Sequence, residues 1–182
     1  MASTQIYQLK VTLKDIRPPV WRRVQVASDI KLGKLHRIIQ DAMGWTDSHL
    51  HAFNIGGENY GIPDPDFESD IHSECNVKLN DIAQAGDRVS YEYDFGDGWR
   101  HEILVGKELP VEPGMHYPRC LTGKRACPPE DCGGVWGYQN PLNILANPKR
   151  EEYGETLEWL GGECDPETFE LNEVNDLLRK VR

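Results

Sequence analysis

The stretch VSYEYDFGDGWRHEILV, residues 89–105, decides how the chain folds. Val89, Tyr91, Tyr93 and Phe95 alternate with Ser90, Glu92 and Asp94, and Trp99, His101, Ile103 and Val105 alternate on the way back. A period of two puts each apolar set on one face of a strand, so the stretch predicts a hairpin. Asp97-Gly98 is the turn signal, because the tight two-residue turn needs positive φ at both central positions. That turn pairs Gly96 with Trp99 and Asp94 with His101, which sets a carboxylate across from an imidazole. A three-residue loop with a bulge would instead oppose Asp94 to Arg100.

Outward from this hairpin the pattern changes. On its N-terminal side, Tyr7, Leu9, Val11 and Leu13 alternate with polar residues, and a second strand runs from Val20 to Val26 after the break Arg17-Pro18-Pro19. Leu35, Ile38, Ile39, Ala42 and Met43 then recur at spacings of three and four up to Gly44, the mark of one amphipathic helix with a glycine stop. LHAFNIGGENYG, residues 50–61, reads as a strand pair around Gly56-Gly57, and residues 61–76 as a long Pro-, Asp- and Ser-rich loop. On the C-terminal side three short helices are expected: residues 134–147, an acidic one ending at Gly161-Gly162, and one capped by Asn172 and carrying Val174, Leu177, Leu178 and Val181.

The expected class is α+β: a β-grasp-like mixed sheet with one main helix across it, plus a C-terminal helical extension. A helix laid on one face of a sheet buries the apolar stripes of both. The 182 residues suit one domain, with residues 1–110 as the sheet-plus-helix core and residues 117–182 packed on it as a Cys-containing loop and helices. With 38% hydrophobic residues, among them five Trp and seven Tyr, the chain has the apolar surface to offset its ordering entropy.

Charge excludes some functions. Residues 1–45 hold eight basic and three acidic side chains, a net of +5, so a whole-chain charge of −10 leaves −15 on the remainder. Neutralising many phosphates calls for a basic excess, so non-specific nucleic-acid binding is disfavoured. No apolar run is long enough to span a bilayer and no signal pattern opens the sequence. Five cysteines, an odd number, point to reduced thiols or ligands. The expectation is a cytoplasmic protein without membrane contact.

Three of those cysteines, Cys120, Cys127 and Cys132, fall in CLTGKRACPPEDCGG, residues 120–134. A zinc knuckle brings two thiolates together through C-x2-C, whereas the spacings here are C-x6-C and C-x4-C, and Pro128-Pro129 stiffens the segment. A stiff loop is the better reading. A divalent metal such as zinc would take Cys120, Cys127, Cys132 and His101, with His49 or His116 as other fourth ligands. Asp94, Asp97 and His101 are the catalytic candidates, since carboxylates and an imidazole on one hairpin can hold a cation and activate water. Trp99, Glu130 and Asp131 are the binding candidates. His49 and His51, alternating along one strand, face one side and could join Asp64, Asp66, Asp70 and His72. Tyr91, Tyr93, Phe95 and Trp99 are expected in the core, because a base-stacking platform needs a basic surround.

PPVWRRVQV at 18–26, YDFGDGWRHEI at 93–103, YPRCLTGKRACPPEDCGGVWGY at 117–138 and EWLGGECDPETFELNEVN at 158–175 together resemble the plasmid pRiA4b ORF-3-like family over nearly the whole chain. The resemblance implies a shared fold and a possible tie to plasmid or mobile-element biology, and its members are largely hypothetical proteins. Relatives often carry another residue at the position of Cys132, so a three-cysteine metal site is not implied. Two functions are expected: first a non-enzymatic binding module with a protein partner, and as the alternative a metal-dependent hydrolase joining the Asp/His hairpin to the Cys-containing loop.

Overall fold

In a computed structural model, residues 5–181 are described except 65, 67–69, 161, 163 and 164. The chain is α+β. Strands β1 (Ile6–Leu13) and β2 (Trp21–Ala27) form the first hairpin, and helix α1 (Leu32–Met43) follows. Then come β3 (His51–Ile55), β4 (Glu58–Gly61), the short β5 (Ile71–Ser73), one turn of helix α2 (Leu79–Ile82), the long hairpin β6 (Arg88–Tyr93) and β7 (Trp99–Leu109), and β8 (Arg119–Lys124). Helices α3 (Gly134–Leu145), α4 (Tyr153–Trp159) and α5 (Leu171–Leu178) complete the chain.

The eight strands make one sheet in the order β5-β4-β3-β6-β7-β1-β2-β8. The expected hairpin, helix and hairpin are all present. β1 lies between β2 and β7, antiparallel to both, and the parallel pairing among the described strands is β4 with β5 at one edge. The β-grasp-like expectation therefore reaches as far as a mixed sheet under one main helix.

Alternation along each strand separates two faces. Leu9, Val11, Val24, Phe53, Tyr91 and Ile103 are among the fully buried residues and face α1, which buries Leu32, Leu35, Ile38, Ile39, Ala42 and Met43 in return. Each such Leu or Ile contributes roughly 1.5–3 kcal/mol. Gly44, at φ 89°, ends α1 by donating its N–H to the Gln40 carbonyl, as the sequence predicts. On the opposite face Arg88, Ser90 and Arg100 are exposed and Lys10, Thr12 and Glu102 half-buried.

Four local expectations change, the first being Phe95, which is expected in the core but lies past the end of β6, in the loop that Asp94 opens, and is 48% exposed. Tyr93 pairs with Trp99 and Tyr91 with His101, so the hairpin connection is the five residues 94–98, and Asp94 is opposite neither His101 nor Arg100. The reason is that Asp94 starts its own turn. Its backbone adopts φ 56°, its Oδ1 accepts the N–H groups of Gly96 and Asp97 at 3.0 and 3.3 Å, and its carbonyl accepts from Gly98. That side-chain turn replaces the two-residue turn at Asp97-Gly98. The long loop contains β5. At α5 the cap position is Glu170 and Asn172 lies inside the helix. Cys164 lies outside the described residues.

Candidate functional site

Two segments far apart in sequence meet at the hairpin tip. The Cys-containing loop after β8 is fastened to the tip and to the α1–β3 connection beside it: Trp45 Nε1 donates to the Pro128 carbonyl at 2.9 Å, Thr46 Oγ1 and N to Glu130 Oε2 at 2.6 and 3.2 Å, and Gly133 N to Asp97 Oδ2 at 3.2 Å. Tyr93 also donates its hydroxyl to Glu130. Burial and that carboxylate hold the Tyr93 phenol well above its ordinary range. The start of α3 presses onto the tip so closely that a Cβ on Gly134 would lie 2.2 Å from the Asp97 carbonyl oxygen. Only glycine permits this approach.

Of the catalytic candidates, Asp94 and Asp97 stand at this junction and His101 does not. His101 is buried under α1, edge-on to Trp45 with centroids 5.3 Å apart, and its Nδ1 donates to the Trp99 carbonyl at 3.1 Å. Burial lowers its pKa to about 4, so it is a neutral core imidazole. Trp99, a binding candidate, is fully buried beside Trp45 and offers no surface. Glu130 acts as the loop's fastener, whereas Asp131 projects to solvent with its side chain 76% exposed.

The proposed metal ligands Cys120, Cys127, Cys132 and His101 do not converge among the described residues. Cys120 Sγ faces the Thr122 carbonyl at 3.5 Å, and Cys132 Sγ faces that of Gly134 at 3.9 Å. Burial pushes the Cys120 and Cys127 thiols up and that of Cys132 to about 11.

His49 and His51 part company. His51 sits in the core, stacked on His36 with ring centroids 3.5 Å apart and planes at 5°, and bonded through Nε2 to Glu74 at 2.9 Å. His36 bonds Tyr91 and Asp47 at 2.9 and 2.6 Å. His49 turns to the junction, its Nε2 3.2 Å from Asp131 Oδ1 and 3.7 Å from Asp94 Oδ2. His72 pairs with Glu58 at the surface. The sequence offers His49 as a fourth ligand to the cysteines or as a partner of His51 and the acidic loop, and not beside Asp94, because that place depends on β3 lying next to β6. Once that pairing is known, the bond from Asp94 N to the Leu50 carbonyl at 2.9 Å puts His49 at the tip.

The solvent-facing side of the sheet carries two cavities beside this junction. One, of about 810 Å³, runs from Glu92 and Arg100 to Val135, Trp136 and Gln139 of α3; the other, of about 390 Å³, runs over Asn54, Arg88 and Ser90. They share Asp15 and Arg100, whose side chains pair at 2.9 Å. Trp136, missed in the sequence, is 89% exposed at the rim. Its neighbours in GGVWGY carry no period that separates an exposed indole from a buried one.

The family described as plasmid pRiA4b ORF-3-like protein matches residues 5–173. An uncharacterized protein of Sinorhizobium fredii (strain NBRC 101917 / NGR234), y4hQ, is 42% identical over 158 residues, which cover 86% of this chain and 81% of that protein. The crystal structure of a protein of unknown function from Methanosarcina mazei Go1, MM3350, superposes with a TM-score of 0.88 at 38% identity, covering 94% of this chain and 98% of that one.

Proposed function

The chain belongs to the plasmid pRiA4b ORF-3-like family, and from that premise we propose that it is a non-enzymatic interaction module receiving a segment of a protein partner on the solvent-facing side of its sheet. One observation carries the reading: the two cavities on that face are joined through Arg100 and Asp15 and rimmed by a nearly bare tryptophan. Trp and Arg dominate binding energy at protein interfaces because each offers large contact area with a directional polar group. Arg17, Arg100 and Gln139 would pair with carboxylates or amides of the partner, and an apolar side chain would cover Trp136. The sheet edges serve less well, since β5 spans three residues and β8 is bonded along its outer side by α5. The described cysteines are free thiols, which supports a reducing compartment such as the cytoplasm. No described helix is long and apolar enough to cross a membrane.

A photo-crosslinking residue placed at 136 in the full chain should give one discrete product in cells, lost on Arg100→Glu. The same residue at 177, on exposed Leu177 of α5, should give none. Equal products at both positions, or no product at 136, would overturn the reading.

Metal-dependent hydrolysis is the second reading, favoured by the docking of the Cys-containing loop on the hairpin tip, which sets Asp131 near Asp94. Its signature is hydrolysis of a generic phosphoester with added Mn²⁺ that Asp94→Asn abolishes.

A further inference from the structure

We propose that His49 Nε2, Asp94 Oδ2 and Asp131 Oδ1 form a binding site for a first-row divalent cation, of the zinc or manganese class. One ligand atom from each of the three residues lies within 4.8 Å of the other two, and the residues come from three segments: the approach to β3, the hairpin tip and the Cys-containing loop. Ligand atoms bound to one such ion at about 2.0–2.2 Å lie roughly 3–3.5 Å apart, and the separations of 3.2 and 3.7 Å from His49 are close to that spacing.

Local hydrogen bonding does not account for the cluster. His49 Nε2 is sealed from solvent and has no hydrogen-bond partner among the described residues, although an Asp131 oxygen is 3.2 Å away. The approach is close, yet no N–H bond is aligned along it. Asp94 has a side chain only 10% exposed, and its Oδ1 is already held by Gly96 N and Asp97 N, which leaves Oδ2 turned to His49. Bonds of this kind orient a ligand carboxylate. Two carboxylates meeting at one imidazole leave negative charge that a divalent cation would neutralise. One imidazole nitrogen with two carboxylate oxygens suits zinc or manganese, whereas calcium and magnesium prefer oxygen alone.

The site is independent of the interaction reading. It would tie the Cys-containing loop to the hairpin tip, whether or not a partner occupies the neighbouring cavity. Three protein ligands also leave a coordination position for water, which would move any hydrolytic centre from His101 to His49.

The test is titration of the full chain, first treated with chelator, with Zn²⁺ or Mn²⁺ alone by calorimetry. One equivalent should bind and raise the melting temperature. His49→Gln and Asp131→Asn should each weaken binding by about tenfold or more. Both side chains reach solvent, so the metal-free variants should melt with the parent, which separates loss of the site from loss of the fold. In the Co²⁺ form the spectrum should lack a thiolate charge-transfer band. Absence of binding, binding that survives both substitutions, or a thiolate band would overturn the proposal.

Discussion

At the scale of single residues, His101 shows what burial does to a titratable group. An imidazole that the sequence offered as an acid–base candidate is 1% exposed, with Nδ1 bonded to Trp99 and Nε2 without a hydrogen-bond partner among the described residues. Burial lowers its folded pKa to about 4 against the ordinary 6.5 of the unfolded chain. The neutral form is the one the fold favours. Its contribution is therefore complete above pH 6.5 and is lost as the pH falls through 4, a difference of roughly 3 kcal/mol. His36, whose pKa burial also lowers, adds to the same acid limb. Urea unfolding at pH 7 and at pH 4 should show His101→Leu destabilised at neutral pH through its lost bond to Trp99. The gap to the parent should narrow toward pH 4. A constant gap would show that His101 takes no part in the pH dependence.

At the scale of elements, α5 and β8 illustrate how a sheet edge is closed by a side chain. Asn175 Oδ1 accepts from Cys120 N at 2.8 Å and its Nδ2 donates to the Cys120 carbonyl at 3.0 Å, so one amide stands in for the next strand. Asn175→Ala would leave a part-buried N–H and C=O unpaired, at a cost of about 1–3 kcal/mol. It would also reopen the edge. We expect a lower urea midpoint with an unchanged slope, and concentration-dependent aggregation that the parent lacks; an unchanged midpoint would mean that water replaces the amide. This contact also marks where sequence reading stops. The alternation of β1, β6 and β7 and the Leu35-to-Met43 stripe of α1 are local periodicities, and they appear in the structure as expected except at Phe95, which falls beyond β6 and is exposed. The hairpin register was missed because Asp94 and Asp97-Gly98 compete as turn residues and sequence alone does not rank them. The β3–β6 pairing and Asn175 on β8 are contacts between distant segments, and no periodicity encodes them. For that reason Asp94, Glu130, Asp131 and His49 are legible as candidates, while the place of His49 beside Asp94 and the exposure of Trp136 follow only from folding.

At the scale of the whole molecule, the question is whether residues 117–181 share one core with the sheet. We propose that they do, on the contacts of Arg22. Though buried, it donates from Nε to the Ala42 carbonyl of α1 at 2.8 Å and from Nη1 to the Lys124 carbonyl of β8 at 3.1 Å, and its guanidinium lies 4.6 Å from the Phe169 ring centre. One side chain thus joins β2, α1, β8 and the approach to α5. Leu178 of α5 is fully buried in the same cluster as Leu35 and Val24. α4 differs: none of its residues is buried, and its contacts run to α3. Stability follows buried apolar contact, so α5 should open only with the sheet and α4 far more easily. Native-state hydrogen exchange should give the amides of α5 near Leu178 the same opening free energy as those of β7 at Ile103, with α4 amides exchanging through local fraying. Exchange of α5 together with α4, ahead of β7, would divide the chain into a sheet-plus-helix unit and a separately unfolding C-terminal segment.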